Sequence, residues 1–159
     1  MPCVLPPVRV GVSACLLGQR VRFDGGHKRD DFLAGLLADF LDLVPVCPEV
    51  GIGMGIPRPQ IRLVGDPERP RAVGVDDATL DVTEQLLSFA RRRVSFLGDI
   101  SGYILKQNSP SCGVEGVKVY GPKGTTPNRR GVGTFARVLM EQTAAAGSGG
   151  DLVEGPGTT

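Results

Sequence analysis

The chain of 159 residues predicts an α/β fold: a single three-layer Rossmann-like domain with a largely parallel sheet. Three observations carry that expectation. Short β-rich apolar runs at 8–13, 44–47 and 102–106 alternate with longer stretches of helical periodicity at 30–42 and 78–97. Strand–helix–strand order implies right-handed crossovers, which set successive strands parallel. The length suits one domain and supports a hydrophobic core without disulfide staples.

Taken in order, VRVGVS (8–13) is the first strand and leads into Ala14-Cys15-Leu16-Leu17-Gly18. A loop with a Gly-Gly turn comes next. Segment 30–42 reads as the clearest helix, because Phe32, Leu33, Leu36, Leu37, Phe40 and Leu41 fall on one face. Asp30 or Asp31 is placed to cap it. VPVC (44–47) is a second strand-like run ending at Cys47, and PEVGIGMGIPRPQ after it is a Gly/Pro loop. IRLV (61–64) and AVGV (72–75) flank GDPERPR and read as a hairpin or small strand pair. Segment 78–97 is the second helix, with Leu80, Leu86, Leu87, Ala90, Val94 and Leu97 inward. Its acids cluster near the start and its arginines toward the end, the favourable signs for the helix dipole. GYILK (102–106) is the third strand of the alternation. VKVY (117–120) precedes a polar loop, GPKGTTPNRRG, and 134–145 is the last helix, with Phe135, Val138 and Leu139 inward. Residues 1–146 read as one domain, and 147–159 as a low-complexity tail expected to be disordered.

Bulk properties narrow the function. A net charge of +1 offers no basic field for a nucleic-acid backbone, so tight nucleic-acid binding is not expected. A small anionic ligand is compatible with it. No apolar run reaches transmembrane length, so no membrane partner is expected. MPCVLPPVRV lacks a basic region before an apolar core and does not read as a signal peptide. The expectation is a cytoplasmic protein with reduced thiols. There, four cysteines point to metal binding or catalysis rather than disulfides. Nothing in the pattern speaks to oligomeric state.

Cys15, Cys47 and Cys112 stand out by position. Each comes after one of the three alternating strands, and parallel strands deliver their C-terminal loops to one carboxyl edge, where open α/β sheets place ligands. A lone Cys after a strand is commonly a small buried hydrophobe; three such coincidences argue for a shared site. Each sits in a Gly-, Pro- or Ser-containing loop (SACLLG, VCPEVG, SPSCG) whose amides can donate to a thiolate or to cluster sulfides. Three thiolates suit a cubane cluster with one iron left open. Cys3 lies in a Pro-flanked leader and reads as incidental. Zinc is the rival metal, but close-spaced ligand pairs such as CxxC are absent and the only histidine, His27, lies in a Gly-rich loop.

The segments GVSACLLG, VRFDGG, VPVCPEVGIGMGIPRPQIRL, LKQNSPSCG and RRGVGTFA resemble a bacterial family whose characterised members are iron–sulfur-dependent thiouracil desulfidases. The likeness runs from about Val8 to Met140. It implies a 4Fe-4S cluster held by Cys15, Cys47 and Cys112, and non-redox removal of sulfur from a small thiolated base such as 2-thiouracil. It also implies a catalytic carboxylate at Glu49 and a catalytic serine at Ser109. Read without the likeness, Glu49 is a loop carboxylate suited to pair with Arg58 or Arg62, and Ser109 is a turn residue before Pro110, with Ser13 and Ser111 as neighbours able to share its role. Lys106 reads as a snorkelling surface lysine and Arg22 and Asp24 as a solvated loop, although all three could face a ligand. Two other readings are a non-catalytic cluster or zinc protein, acting as redox sensor or nucleotide-binding module, and a cysteine-nucleophile enzyme.

Overall fold

The computed structural model describes residues 8–96, 100–122, 125–146 and 151–155. It shows a mixed α/β chain built on two four-stranded sheets. The first sheet contains β1 (Arg9–Ser13), β2 (Asp42–Val46), β5 (Gly102–Lys106) and β8 (Asp151–Gly155), in the order β2-β1-β5-β8. Every neighbouring pair in it is parallel. The three alternating strands of the sequence pattern are therefore adjacent, with β1 in the middle. Gly11 of β1 lets the Tyr103 ring lie against the backbone, since a Cβ there would stand 2.4 Å from ring carbons.

The second sheet was only partly expected. The hairpin pairs β3 (Ile61–Val64) with β4 (Arg71–Gly74). It is extended by β6 (Val117–Tyr120), parallel to β3, and by β7 (Asn128–Gly131), antiparallel to β6. β7 falls inside the segment read as a polar loop. It escaped the pattern because NRRG is an edge strand with two exposed arginines and no apolar alternation.

One face of the first sheet packs Tyr103, Leu105 and Val46 against Ala90 of helix α2 (Thr83–Phe96) and against Phe135, Ala136, Val138 and Leu139 of α3 (Thr134–Ala146). The N-terminal end of α2 belongs to a second core, where Leu86 and Val82 meet Ile61, Leu63, Val117 and Val119. The opposite face of the first sheet is covered thinly by Leu16 and Leu33 over Val12.

That thin cover corrects the clearest helix of the sequence reading. Segment 30–42 is a π turn (Phe32–Leu36) followed by a 3-10 turn (Leu37–Asp39). Asp30 does cap it, its Oδ1 accepting the Leu33 N–H at 3.0 Å. Only Leu33 is buried, whereas Phe32 and Phe40 are 58% and 71% exposed. Gly35 in mid-segment disfavours a regular helix by about 1 kcal/mol. The second helix also starts later than expected. Asp77 and Thr79 form an Asx turn, and Asp81 bridges to Val73 before the helix begins. At Thr83 the backbone N–H donates to Asp81 Oδ1, while Oγ1 accepts the buried Ala72 N–H at 2.7 Å. Leu97 and Cys3 lie outside the described residues. Of the tail read as disordered, 151–155 form β8 beside β5.

Candidate functional site

β1, β2 and β5 point the same way, so their carboxyl ends at Ser13, Val46 and Lys106 share one edge. Each end opens directly into a cysteine loop. Cys15 sits in a 3-10 turn (Ala14–Leu17) closed by Gly18 at φ 88°. Its carbonyl accepts the Gly18 N–H at 3.2 Å and the Lys28 N–H at 3.0 Å, which ties the 21–28 loop to the site. Cys47 is the cap residue of a one-turn helix, α1 (Pro48–Gly51), with Pro48 at the first helical position, where its missing N–H costs nothing. Its thiol lies 3.8 Å from the Val21 carbonyl, to which it donates.

Cys112 is held differently. Ser109 Oγ accepts the backbone N–H groups of Ser111 (3.2 Å) and Cys112 (3.0 Å), folding the loop on itself. The start of α3 then straps it down. Gly133, Thr134 and Phe135 donate their N–H groups to the carbonyls of Gly113, Pro110 and Ser111 at 2.7, 3.0 and 2.9 Å. These are N–H groups that a helix start leaves without internal partners. The contact needs glycine at 133, because a Cβ would stand 2.6 Å from the Ser111 carbonyl group.

All three thiols are free and line one cavity of about 310 Å³. Glu49, from the first turn of α1, reaches the same cavity. Its Oε1 accepts Arg58 Nε at 3.2 Å, and its Oε2 accepts the Ser111 hydroxyl at 3.0 Å. The Arg58 and Glu49 side chains are 3% and 14% exposed, so this is a largely buried ion pair. Arg58 also donates Nη1 to the Gly55 carbonyl at 3.1 Å. Ser109 lines the cavity, while the fully buried Ser111 stands behind it.

Lys106 faces the cavity rather than bulk solvent, its Nζ donating to the Gln107 carbonyl at 2.7 Å. Its backbone N–H is bound by Ser13 Oγ at 2.8 Å. Burial lowers the Lys106 pKa; the nearby Cys15 charge acts against this, and Arg22 and Lys28 reinforce it. Burial pushes up the Cys15 and Cys47 thiols. At Cys15 the charge of Cys47 adds to the rise, and Lys106 opposes it. Cys112 is raised furthest, by complete burial, against a hydrogen bond from Ser13 and with further upward pressure from Cys47 and Cys15. At Cys47 the backbone N–H of Val50 and the charge of Arg58 work against the rise. His27 is exposed, with its Nδ1 accepting the Arg29 N–H, and does not line the cavity. His27 therefore forms no Cys–His pair with the three cavity cysteines.

The geometry sorts the other candidates. Arg22 lines the cavity. Asp24 does not, its exposed carboxylate instead capping the Gly26 N–H at 2.8 Å. Arg58 does pair with Glu49, while Arg62 stacks over Tyr120 at 4.6 Å in a neighbouring groove. The sequence reading missed the wall formed by Phe23, Gln60, Ile61 and Asn108. Its signal would have been adjacency: Gln60 and Ile61 close the same Gly/Pro loop that holds Arg58. Among the described residues, no three His, Cys, Asp or Glu side chains converge where a single metal ion would be held, and no helix is long and apolar enough to cross a membrane.

Comparison with known proteins places this arrangement. Residues 10–148 match the family described as 2-thiouracil desulfurase, a span that includes all three cavity cysteines. The chain belongs to the 2-thiouracil desulfurase family. The solved structure of the 4Fe-4S-dependent thiouracil desulfidase TudS superposes with a TM-score of 0.66 at 29% identity, covering 92% of this chain and 90% of that one. A curated relative, the uncharacterized protein YbbK of Bacillus subtilis, is 34% identical over 108 residues, which is 64% of this chain and 71% of that protein.

Proposed function

We propose that this protein removes sulfur from a small thiolated base of the 2-thiouracil type, using a 4Fe-4S cluster held by Cys15, Cys47 and Cys112. The observation that carries the reading is three free thiols, from three parallel strand ends, lining one cavity with a buried carboxylate. The donor set fits the cofactor. A single zinc ion needs its donors within about 2.3 Å of one point, whereas a cubane cluster distributes its cysteine sulfurs over separate irons. Cys15, Cys47 and Cys112 would hold the cluster, which would supply a Lewis acid able to polarise a thiocarbonyl.

The chain's own residues supply the rest. Glu49 is the general base, removing a proton from water as the water attacks the carbon bearing sulfur. Ser109 accepts two backbone N–H groups and keeps its own hydroxyl proton for the cavity, where it donates to the substrate. Lys106, with Arg22 and Lys28, lines the wall with positive charge, which suits the anionic sulfide product. The balance is hydrolytic: C=S plus water gives C=O plus hydrogen sulfide, with no electron donor or acceptor.

The test is anaerobic purification, reconstitution with iron and sulfide, and addition of 2-thiouracil, with uracil and sulfide as readouts. Cys15→Ala, Cys47→Ala and Cys112→Ala should each lose cluster absorption, and Cys3→Ala should not. Glu49→Ala should keep the cluster and lose turnover by about 100-fold or more. A cluster without sulfide release would favour a redox sensor, and absence of a cluster would end the proposal.

A further inference from the structure

The pairing of Glu49 with Arg58 would ordinarily mark a structural carboxylate, and here the same carboxylate stands in the cavity wall. The two facts are reconciled by how the oxygens are shared. Arg58 takes only Oε1, through a single Nε–H at 3.2 Å, and the Ser111 hydroxyl takes Oε2 at 3.0 Å. Two partners on separate elements, one per oxygen, resist rotation of the carboxylate plane. Arg58 is itself fixed at two further points, Nη1 to the Gly55 carbonyl at 3.1 Å and its backbone N–H to the Phe23 carbonyl at 2.9 Å. Ser111 is locked in turn, because its carbonyl accepts the N–H groups of Phe135 and Ala136 at the start of α3. An ion pair this buried contributes little net stability over an apolar replacement, so its place beside the cavity calls for another use.

We infer that Arg58 and Ser111 are positioning residues that act through Glu49, holding its carboxylate in one orientation toward the cavity. The inference rests on the role proposed for Glu49 above. Arg58 also joins the 21–26 loop to the Glu49 carboxylate, through its backbone N–H on the Phe23 carbonyl and its Nε on Oε1. Misplacing a catalytic group by about 1 Å costs about 100-fold in rate, and that sets the scale of the effect.

The experiment compares Arg58→Met, Arg58→Lys and Ser111→Ala in the reconstituted enzyme, with iron and sulfide content measured for each. Arg58→Met should lower kcat by roughly 10- to 100-fold with KM within about twofold and cluster content unchanged. Arg58→Lys should recover part of the loss. Arg58→Met in a Glu49→Gln background should cause no further loss, because the two residues act as one unit. A second readout needs no turnover. In the full chain without reconstitution, labelled with carbon-13 at glutamate side-chain carboxyls, the Glu49 resonance is identified by its loss in Glu49→Gln. It should move in both Arg58→Met and Ser111→Ala. An unmoved resonance, or a raised KM with unchanged kcat, overturns the inference. If wild-type enzyme releases no sulfide, the desulfidase reading fails, and the carboxylate resonance still reports separately whether Arg58 and Ser111 bind Glu49 in solution, an unmoved resonance overturning the inference.

Discussion

Gly133 is the point where α3 touches the Cys112 loop, and replacing it with alanine loads that contact directly. A Cβ would sit 2.6 Å from both the carbonyl carbon and the oxygen of Ser111, and 2.8 Å from the Cys112 nitrogen. All three are backbone atoms, so no side chain can swing away. Relief requires the loop to move by several tenths of an ångström. That displacement works against four hydrogen bonds, from the N–H groups of Gly133, Thr134, Phe135 and Ala136 to loop carbonyls, each contributing about 1 kcal/mol net. Overpacking of this kind costs about 1–3 kcal/mol, and alanine returns roughly 0.4–1 kcal/mol by restricting the unfolded chain. The net expectation for Gly133→Ala is a loss of about 1–2 kcal/mol, or a Tm lower by roughly 2–8 °C for a chain of this size. Urea unfolding of the chain without cluster measures the first, and iron content after reconstitution measures whether Cys112 has moved. Gly35→Ala is the matched control: a Cβ there meets nothing within 4 Å, so stability should rise by about 0.5–1 kcal/mol. If Gly133→Ala matches wild type within about 0.5 kcal/mol and loads iron fully, the strap between α3 and the Cys112 loop is not what holds that loop.

Thr83→Val keeps shape and removes the acceptor of the buried Ala72 N–H. It should cost about 1–3 kcal/mol in urea unfolding. Phe40→Ser, at a side chain 71% exposed, should change stability in urea unfolding by no more than about 0.5 kcal/mol. Hydrogen bonds from the Thr79 hydroxyl and backbone hold the Asp77 carboxyl below its ordinary 3.8. The stabilisation they give is present above 3.8 and disappears as pH falls through the lower folded value. Thr79→Val should therefore raise the Asp77 pKa toward 3.8 in an NMR titration, and the stability gap to wild type should close in acid.

The gathering of Cys15, Cys47 and Cys112 was legible because it depends on strand direction: parallel strands deliver their carboxyl ends to one edge, and long connections between short strands imply parallel pairing. The hairpin at Ile61–Gly74 was legible for a similar reason, since two short apolar runs flank a turn-rich loop. Segment 30–42 misled because apolar residues at helical spacing look alike whether or not a partner surface exists. Leu33 has one in Val12 and Leu16, and Phe32, Leu36 and Phe40 do not. The second sheet was hidden because β3 and β6 are joined by a parallel pairing across more than fifty residues, which local periodicity does not encode. Within the site, Glu49 was singled out by the likeness of its CPE segment to the desulfidase family, while the residues alone suggested the pairing with Arg58 that the fold contains. The serine that bonds to it, Ser111, differs from Ser109 only in which way the loop turns. Lys106 looked like a solvent-facing lysine because the cavity it lines is walled by Ala14, Cys15, Val21 and Phe23, far from it in the chain.

β5 takes its place between β1 and β8, pairing residues near 103 with residues near 11. Such long-range parallel contacts form late, after loop-closure entropy has been overcome. The Cys15 and Cys47 loops lie on the first third of the chain and can meet early through the local β1–β2 pair. Cys112 arrives only with β5. During synthesis the Cys15 and Cys47 segments are made before β5 and Cys112, so two of the three thiols exist before the third. Oxidants can reach that pair before β5 completes the edge, so the yield of competent protein should depend on how reducing the surroundings are while β5 docks.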